Sequence, residues 1–135
     1  MKRILLIDDQ ADIRQVVQLS LQIVAGWQVI SCNTGLEGVA LAQQEKWDVI
    51  LLDLMMPDLD GVATFHLLQD CDKSQHIPVI LLTADLALAK MLDLKSLGFS
   101  GIIAKPFEPI LLANQIALIL QWDVSSATPA NIINP

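Results

Sequence analysis

Apolar residues along this chain follow two alternating rhythms: short unbroken runs, and longer stretches where they recur every three or four positions. The unbroken runs sit in Arg3 to Ile7, Trp27 to Cys32, Val49 to Leu52, Val79 to Leu82 and Gly101 to Ala104. Short apolar runs bounded by turn residues read as strands buried on both faces. The helical rhythm is clearest in Ala11 to Ala25, where Ile13, Val16, Val17, Leu21 and Val24 share one side and Gly26 supplies the stop. Thr34 and Glu37 have capping-box spacing and open a second helix to about Lys46. A third helix is predicted from about Asp60 to Asp70, and a polar loop from Asp70 to His76 follows it. Pro78 opens the fourth strand, where its missing N–H is tolerated, and Thr83 closes it. A fourth helix is expected over about Leu86 to Leu97, ending at Gly98, and a last one over about Pro109 to Trp122.

Strands alternating with helices predict a right-handed parallel α/β sheet. The flavodoxin-like (βα)5 doubly wound arrangement, strand order 2-1-3-4-5, fits this count. Residues 1–122 form one expected domain, and residues 123–135 read as a loose tail without an attached output domain. In that topology the switch point lies between strands one and three, and ligands bind at the carboxyl rim. The strand ends there carry Asp8 and Asp9, Asp53, Thr83 and Lys105.

Composition narrows the function classes. Net charge is −7, with no basic patch to neutralise phosphates, which argues against direct nucleic-acid binding. Apolar runs are far shorter than the ~20 residues a membrane span needs. Met1-Lys2-Arg3 precedes an apolar stretch, but Asp8-Asp9 ends it too soon for a signal peptide. The expectation is a cytoplasmic protein with no membrane insertion. Cys32 and Cys71 lack metal-ligand spacing and a redox motif, so both read as reduced thiols. His66 and His76 lie far apart in sequence and give little support to a zinc site or a His-based triad.

Three carboxylates sharing one crevice repel one another unless a cation joins them. Mg²⁺ suits a few carboxylates, a backbone carbonyl and water. Phosphoryl transfer calls for such a set, with a nucleophile placed in line and positive groups around the equatorial oxygens. Asp53, alone at the end of the central strand, is the candidate nucleophile for an aspartyl-phosphate. Lys105 offers a compact cation, Thr83 a hydroxyl donor, and Ala84 leaves room beside them. An FMN- or nucleotide-binding reading requires a Gly/Ser/Thr-rich phosphate loop after strand one, where Asp8-Asp9-Gln10 instead puts negative charge. A haloacid-dehalogenase-type phosphatase requires an Asp two residues after the nucleophile, where this chain has Met55.

Together, Asp8-Asp9, Asp53-Leu54-Met55-Met56-Pro57 with Gly61, Thr83-Ala84 and Lys105-Pro106-Phe107 resemble a two-component response-regulator receiver domain over about Lys2 to Trp122. The stand-alone, chemotaxis-regulator-like kind is the nearest in form. The resemblance implies a phosphoacceptor switch rather than an enzyme, at most catalysing its own phosphorylation and dephosphorylation. It implies that Asp53 accepts a phosphoryl group from a histidine kinase or histidine phosphotransfer protein. Asp8, Asp9, Asp53 and the Met55 backbone carbonyl would bind Mg²⁺, while Thr83 and Lys105 would contact the phosphoryl group. A cis Lys105–Pro106 bond is implied as well.

One position departs from the family pattern: Ile102 stands where an aromatic residue on strand five usually turns inward. That departure, with the apolar surfaces, motivates a second reading, a receiver-like interaction module acting independently of phosphorylation. On helix four, Leu86, Leu88, Met91, Leu92, Leu94 and Leu97 do not form one stripe. On the last helix Leu112, Ile116 and Ile119 suit the core, with Leu111, Leu118 and Trp122 on another side. Helix four, strand five and the last helix are therefore expected to form an association surface for a downstream protein partner or a homodimer. Leu19 and Ile23, off the core stripe of helix one, are expected to meet a kinase or phosphotransfer helix.

Overall fold

Period-two alternation along the strands divides the apolar residues between two cores. In the computed structural model, which describes residues 1–122, the strands are β1 (Arg3–Ile7), β2 (Gln28–Cys32), β3 (Val49–Asp53), β4 (Val79–Thr83) and β5 (Gly101–Ala104). All pair in parallel, in the order β2-β1-β3-β4-β5. Successive side chains on a strand point to opposite faces. Leu5, Ile7, Ile50 and Leu52 accordingly join one core, and Ile4, Leu6, Val49 and Leu51 the other. Helices α1 (Ala11–Ala25) and α6 (Leu112–Leu120) cover the second core, with Val17, Leu21, Leu112 and Ile116 buried there. Helices α2 (Gly35–Gln44), α3 (Gly61–Gln69), α4 (Leu86–Met91) and α5 (Leu94–Leu97) cover the first, around Phe65, Leu68, Ala89 and Leu94. With both faces covered, the central strands β3 and β4 are buried at every position.

Local signals act where the sequence places them. Thr34 Oγ1 accepts the Glu37 N–H at 3.1 Å, while Glu37 Oε1 accepts the Asn33 N–H at 3.4 Å. Asp60 caps α3 by accepting the Ala63 N–H at 2.8 Å. Gly26 closes α1 in the left-handed region, φ 70°.

Two expected helices are corrected. The span Leu86 to Leu97 is two short helices, because Asp93 adopts φ 48°, ψ 62° and interrupts the hydrogen-bond ladder. On one continuous helix Leu94 would lie about 140° around from Ala89. The break brings both into the same core, where Ala89 is buried alongside Leu94. The last helix begins as a 3₁₀ turn, Pro109–Leu111, and its α-helical part ends at Leu120. Gln121 turns left-handed, and Trp122 packs edge-on against Trp27 with centroids 5.3 Å apart and Lys2 Nζ 4.4 Å above its ring. Trp122 is therefore half-buried against the second core, not on the outer side with Leu111 and Leu118. Residues 123–135, expected as a tail, lie outside the described residues.

Gly61 carries a close approach. A Cβ there would lie 2.5 Å from the Asp53 carbonyl oxygen and 2.9 Å from Leu54 Cα, both backbone atoms. At Gly26, by contrast, a Cβ would meet nothing within 4 Å, so only its positive φ opposes substitution. Urea unfolding should find Gly26→Ala less stable by about 1 kcal/mol, and Gly61→Ala less stable by a larger margin because α3 must move. Equal losses would contradict the close approach.

Candidate functional site

Each functional side chain is placed by a strand end whose backbone is locked. The ladder continues past β1 through Asp8 N–H to Cys32 O, 3.1 Å. The Asp8 side chain then turns the chain by accepting the Gln10 N–H on Oδ1 at 2.9 Å, an Asx turn. Asp53 ends β3, and the Leu54 N–H reaches Leu82 O at 3.3 Å while the Gly61 N–H returns to Leu54 O at 2.9 Å. Thr83 ends β4, and its Oγ1 accepts the Asp85 N–H at 2.9 Å. Lys105 N–H donates to Thr83 O at 2.8 Å, and the Lys105–Pro106 bond is cis, as expected.

These ends converge. Asp8, Asp9 and Asp53 present carboxylate oxygens within 4.8 Å of one another; Asp8 is fully buried, Asp53 is 5% exposed, and Asp9 is open to solvent. Lys105 Nζ lies 2.7 Å from Asp8 Oδ2 and 3.3 Å from Asp53 Oδ1, with its side chain 8% exposed. One open crevice is lined by Asp9, Asp53, Met55, Thr83, Ala84 and Lys105, together with Gln10 and Asp85. Every site residue expected from sequence therefore lies at this rim.

Three carboxylates against one ammonium leave an excess of negative charge equal to that of one divalent cation. An octahedral Mg²⁺ site places ligand oxygens about 3 to 4.2 Å apart, close to the spread found here. The donor set, all oxygen and partly solvated, fits that ion. Burial, and then the negative charge of Asp8, push the Asp53 carboxyl up from 3.8 to about 6, against the opposing charge and hydrogen bond of Lys105. Cys32 is also buried, and its thiol is pushed up to about 12, mainly by desolvation. Burial therefore favours its protonated form, and neither Cys32 nor Cys71 is in a disulfide.

Two neighbours of the site are not legible in the motifs. Gln10 occupies the N-cap position of α1 without a side-chain capping bond, and its Oε1 instead accepts from Lys105 Nζ at 3.1 Å. Arg14 Nη1 donates to Asp8 O at 2.8 Å, tying the first turn of α1 to the end of β1. A poor capping residue at an N-cap was the one sequence signal available for Gln10.

Apolar surfaces are exposed on the helices around the sheet. Ile23 (79% exposed) and Leu19 join Val16, Pro109 and Ile110 in a groove between α1 and the 3₁₀ turn. Leu86, Met91, Ile102, Leu111 and Leu118 are exposed on α4, β5 and the α6 side. Leu88, Leu92 and Leu97, in contrast, are half-buried against the first core.

The molecule is thus a doubly wound parallel α/β sheet with an acidic cluster and a lysine at the carboxyl rim of its switch point. The model of the response regulator receiver domain matches residues 4–117, and the chain belongs to that family. The chain is 31% identical to Vibrio cholerae chemotaxis protein CheY4, with a TM-score of 0.81, covering 88% of this chain and 98% of that one. The receiver domain of the Pseudomonas aeruginosa sensor histidine kinase PA1611, whose structure has a magnesium ion coordinated in the active site cleft, is 26% identical. Its TM-score is 0.77, with 93% of this chain and 98% of that one covered. Among curated relatives, the DNA-binding dual master transcriptional regulator RpaA of Synechocystis is 36% identical over 91% of this chain and 51% of its own length. The probable transcriptional regulator ycf27 of Guillardia theta is 33% identical over 98% of this chain and 53% of its own. The chain thus spans about half the length of these relatives. Among the described residues no helix is long and apolar enough to cross a membrane.

The Asp53 shift has a testable sign. A carboxyl raised by folding contributes stability that is full below its unfolded value, near 3.8, and is lost as pH rises through about 6. In EDTA, the stability of the wild type relative to Asp53→Asn should increase as pH falls from about 7.5 to about 4.5, measured by urea unfolding. A difference that stays flat or reverses would contradict this electrostatic account.

Proposed function

We propose that this chain is a phosphoacceptor switch of a two-component or phosphorelay system, taking a phosphoryl group on Asp53 from a phosphohistidine. The observation that carries this reading is the convergence of Asp8, Asp9, Asp53 and Lys105 on one solvent-open crevice at the sheet's switch point. An Asp53 oxygen would attack phosphorus, the P–N bond would break with its electron pair leaving on the imidazole, and an acyl phosphate would form. Asp53 must be ionised to attack, and the neighbouring Lys105 ammonium favours that form. Asp8, Asp9, Asp53 and the Met55 backbone carbonyl would hold Mg²⁺, which when bound offsets the negative charge of acceptor and phosphoryl oxygens. The Thr83 hydroxyl accepts from Asp85 N–H and so keeps its own proton to donate to a phosphoryl oxygen. Lys105 would pair with another.

The apolar groove along α1, with Leu19, Ile23 and Ile110, suits a helix of the kinase or phosphotransfer protein that presents the histidine. The exposed Leu86, Met91, Ile102, Leu111 and Leu118 suit a downstream protein partner or a second copy. DNA binding, named for a relative about twice as long, is not assigned to these residues, whose net charge is −7. Ile102 supports the second reading, an interaction module independent of phosphorylation, because an aliphatic side chain there removes the aromatic rotamer as a readout. The paired Asp53–Lys105 site favours the first.

Intact mass after incubation with acetyl phosphate tests this directly. One phosphoryl adduct is expected with Mg²⁺, none with EDTA, and none on Asp53→Asn. Failure to form an adduct with either acetyl phosphate or a phosphohistidine donor would favour the phosphorylation-independent module. An adduct that persists in Asp53→Asn would show that Asp53 is not the nucleophile.

A further inference from the structure

Lys105 is the cation on which the proposed chemistry depends, and two of its three ammonium protons already have hydrogen-bond acceptors. Nζ donates to Asp8 Oδ2 at 2.7 Å and Gln10 Oε1 at 3.1 Å, and lies 3.3 Å from Asp53 Oδ1. An incoming phosphoryl oxygen competes with these contacts for the position and charge of Nζ. Asp8 is fully buried, and its bond to Lys105 is short and charge-assisted, so it holds. The Gln10 amide is neutral and its bond to Nζ is the longer of the two, so it is the one that yields. Its side chain is also free of the helix that it precedes. An N-cap side chain ordinarily turns back onto the first helical N–H groups, yet Gln10 makes no such bond and spends its carbonyl on Lys105.

We propose that Gln10 is a positioning residue that parks the Lys105 ammonium on the Asp8 side of the crevice and competes with the phosphoryl group for it. This rests on the phosphoacceptor reading above. The competition keeps Nζ at the longer 3.3 Å from Asp53 and withholds part of its charge from the transition state. Gln10 therefore slows phosphoryl uptake, and removing its carbonyl releases Lys105 without touching a carboxylate of the site.

Acetyl phosphate kinetics on Gln10→Met, which keeps side-chain length but loses the acceptor, test this. The rate constant at saturating donor should rise roughly three- to tenfold, the net worth of one typical hydrogen bond. Half-saturation should change little. Gln10→Ser, which supplies a true helix cap but cannot reach Lys105, should show the same acceleration, whereas a purely structural role predicts no acceleration in either variant. Gln10→Glu should slow uptake by holding Lys105 more tightly. A rate for Gln10→Met equal to or below wild type overturns the proposal. A second readout needs no phosphorylation: solvent exchange of the Lys105 ammonium protons, followed by ¹⁵N NMR, should be several-fold faster in Gln10→Met. Unchanged exchange overturns the parking contact. A wild type that takes no phosphoryl group but shows the faster exchange in the variant overturns the phosphoacceptor reading instead.

Discussion

The structure depends on holding like charges together at one edge of a parallel sheet. Asp8 and Asp53 are both buried, and Asp9 lies within ligand distance of them, so repulsion and lost hydration oppose the arrangement. Lys105 counters this from the far side of the sheet, reaching Asp8 and Asp53 at once. Its reach depends on register. Thr83 pairs with Ala104, the Lys105 N–H continues that ladder to Thr83 O, and Asp53 sits opposite Leu82. A shift of one residue along any of these strands would send the acid or the ammonium to the opposite face.

Much of this was legible because buried parallel strands and capped helices write strong patterns. The runs ending at Ile7, Asp53 and Thr83 set the sheet, and the Thr34–Glu37 and Gly26 signals act as read. What was not legible is tertiary. The break at Asp93 has no Gly or Pro to announce it; it serves the burial of Leu94 beside Ala89, which a continuous helix would keep apart. Trp122 continues an apolar helical rhythm, yet it leaves the helix because Trp27, far away in sequence, offers an aromatic edge. Gln10 carries no motif, and its contact with Lys105 spans 95 residues of chain. In each case long-range packing overrides a local pattern.

Signal output has to be understood with Ile102 in place. On the edge strand β5 its exposed aliphatic side chain gives no aromatic rotamer to report the site's state. A hydrogen-bonded link to the exposed apolar surface runs through Thr83. Its hydroxyl accepts the Asp85 N–H, and Asp85 in turn caps α4 by accepting the Leu88 N–H at 2.9 Å. If phosphorylation drew Thr83 toward a phosphoryl oxygen, as proposed, that movement would pull on the cap. Helix α4 is only Leu86–Met91, with the exposed Met91 at its end, so a cap shift acts on a short element beside the apolar surface. Such a link biases populations rather than forcing one conformation.

The central claim is that Asp53 receives the phosphoryl group while the surrounding acids hold Mg²⁺ and Thr83 and Lys105 engage the phosphoryl oxygens. The most direct measurement is a crystal structure of the protein with Mg²⁺ and beryllofluoride, a mimic of the attached phosphoryl group. The account predicts beryllium bonded to Asp53, Mg²⁺ held by Asp8, Asp9, Asp53 and the Met55 carbonyl, and Thr83 Oγ1 and Lys105 Nζ on fluorides. Beryllofluoride bound to another side chain, or a crevice that stays empty under saturating Mg²⁺ and beryllofluoride, would contradict it.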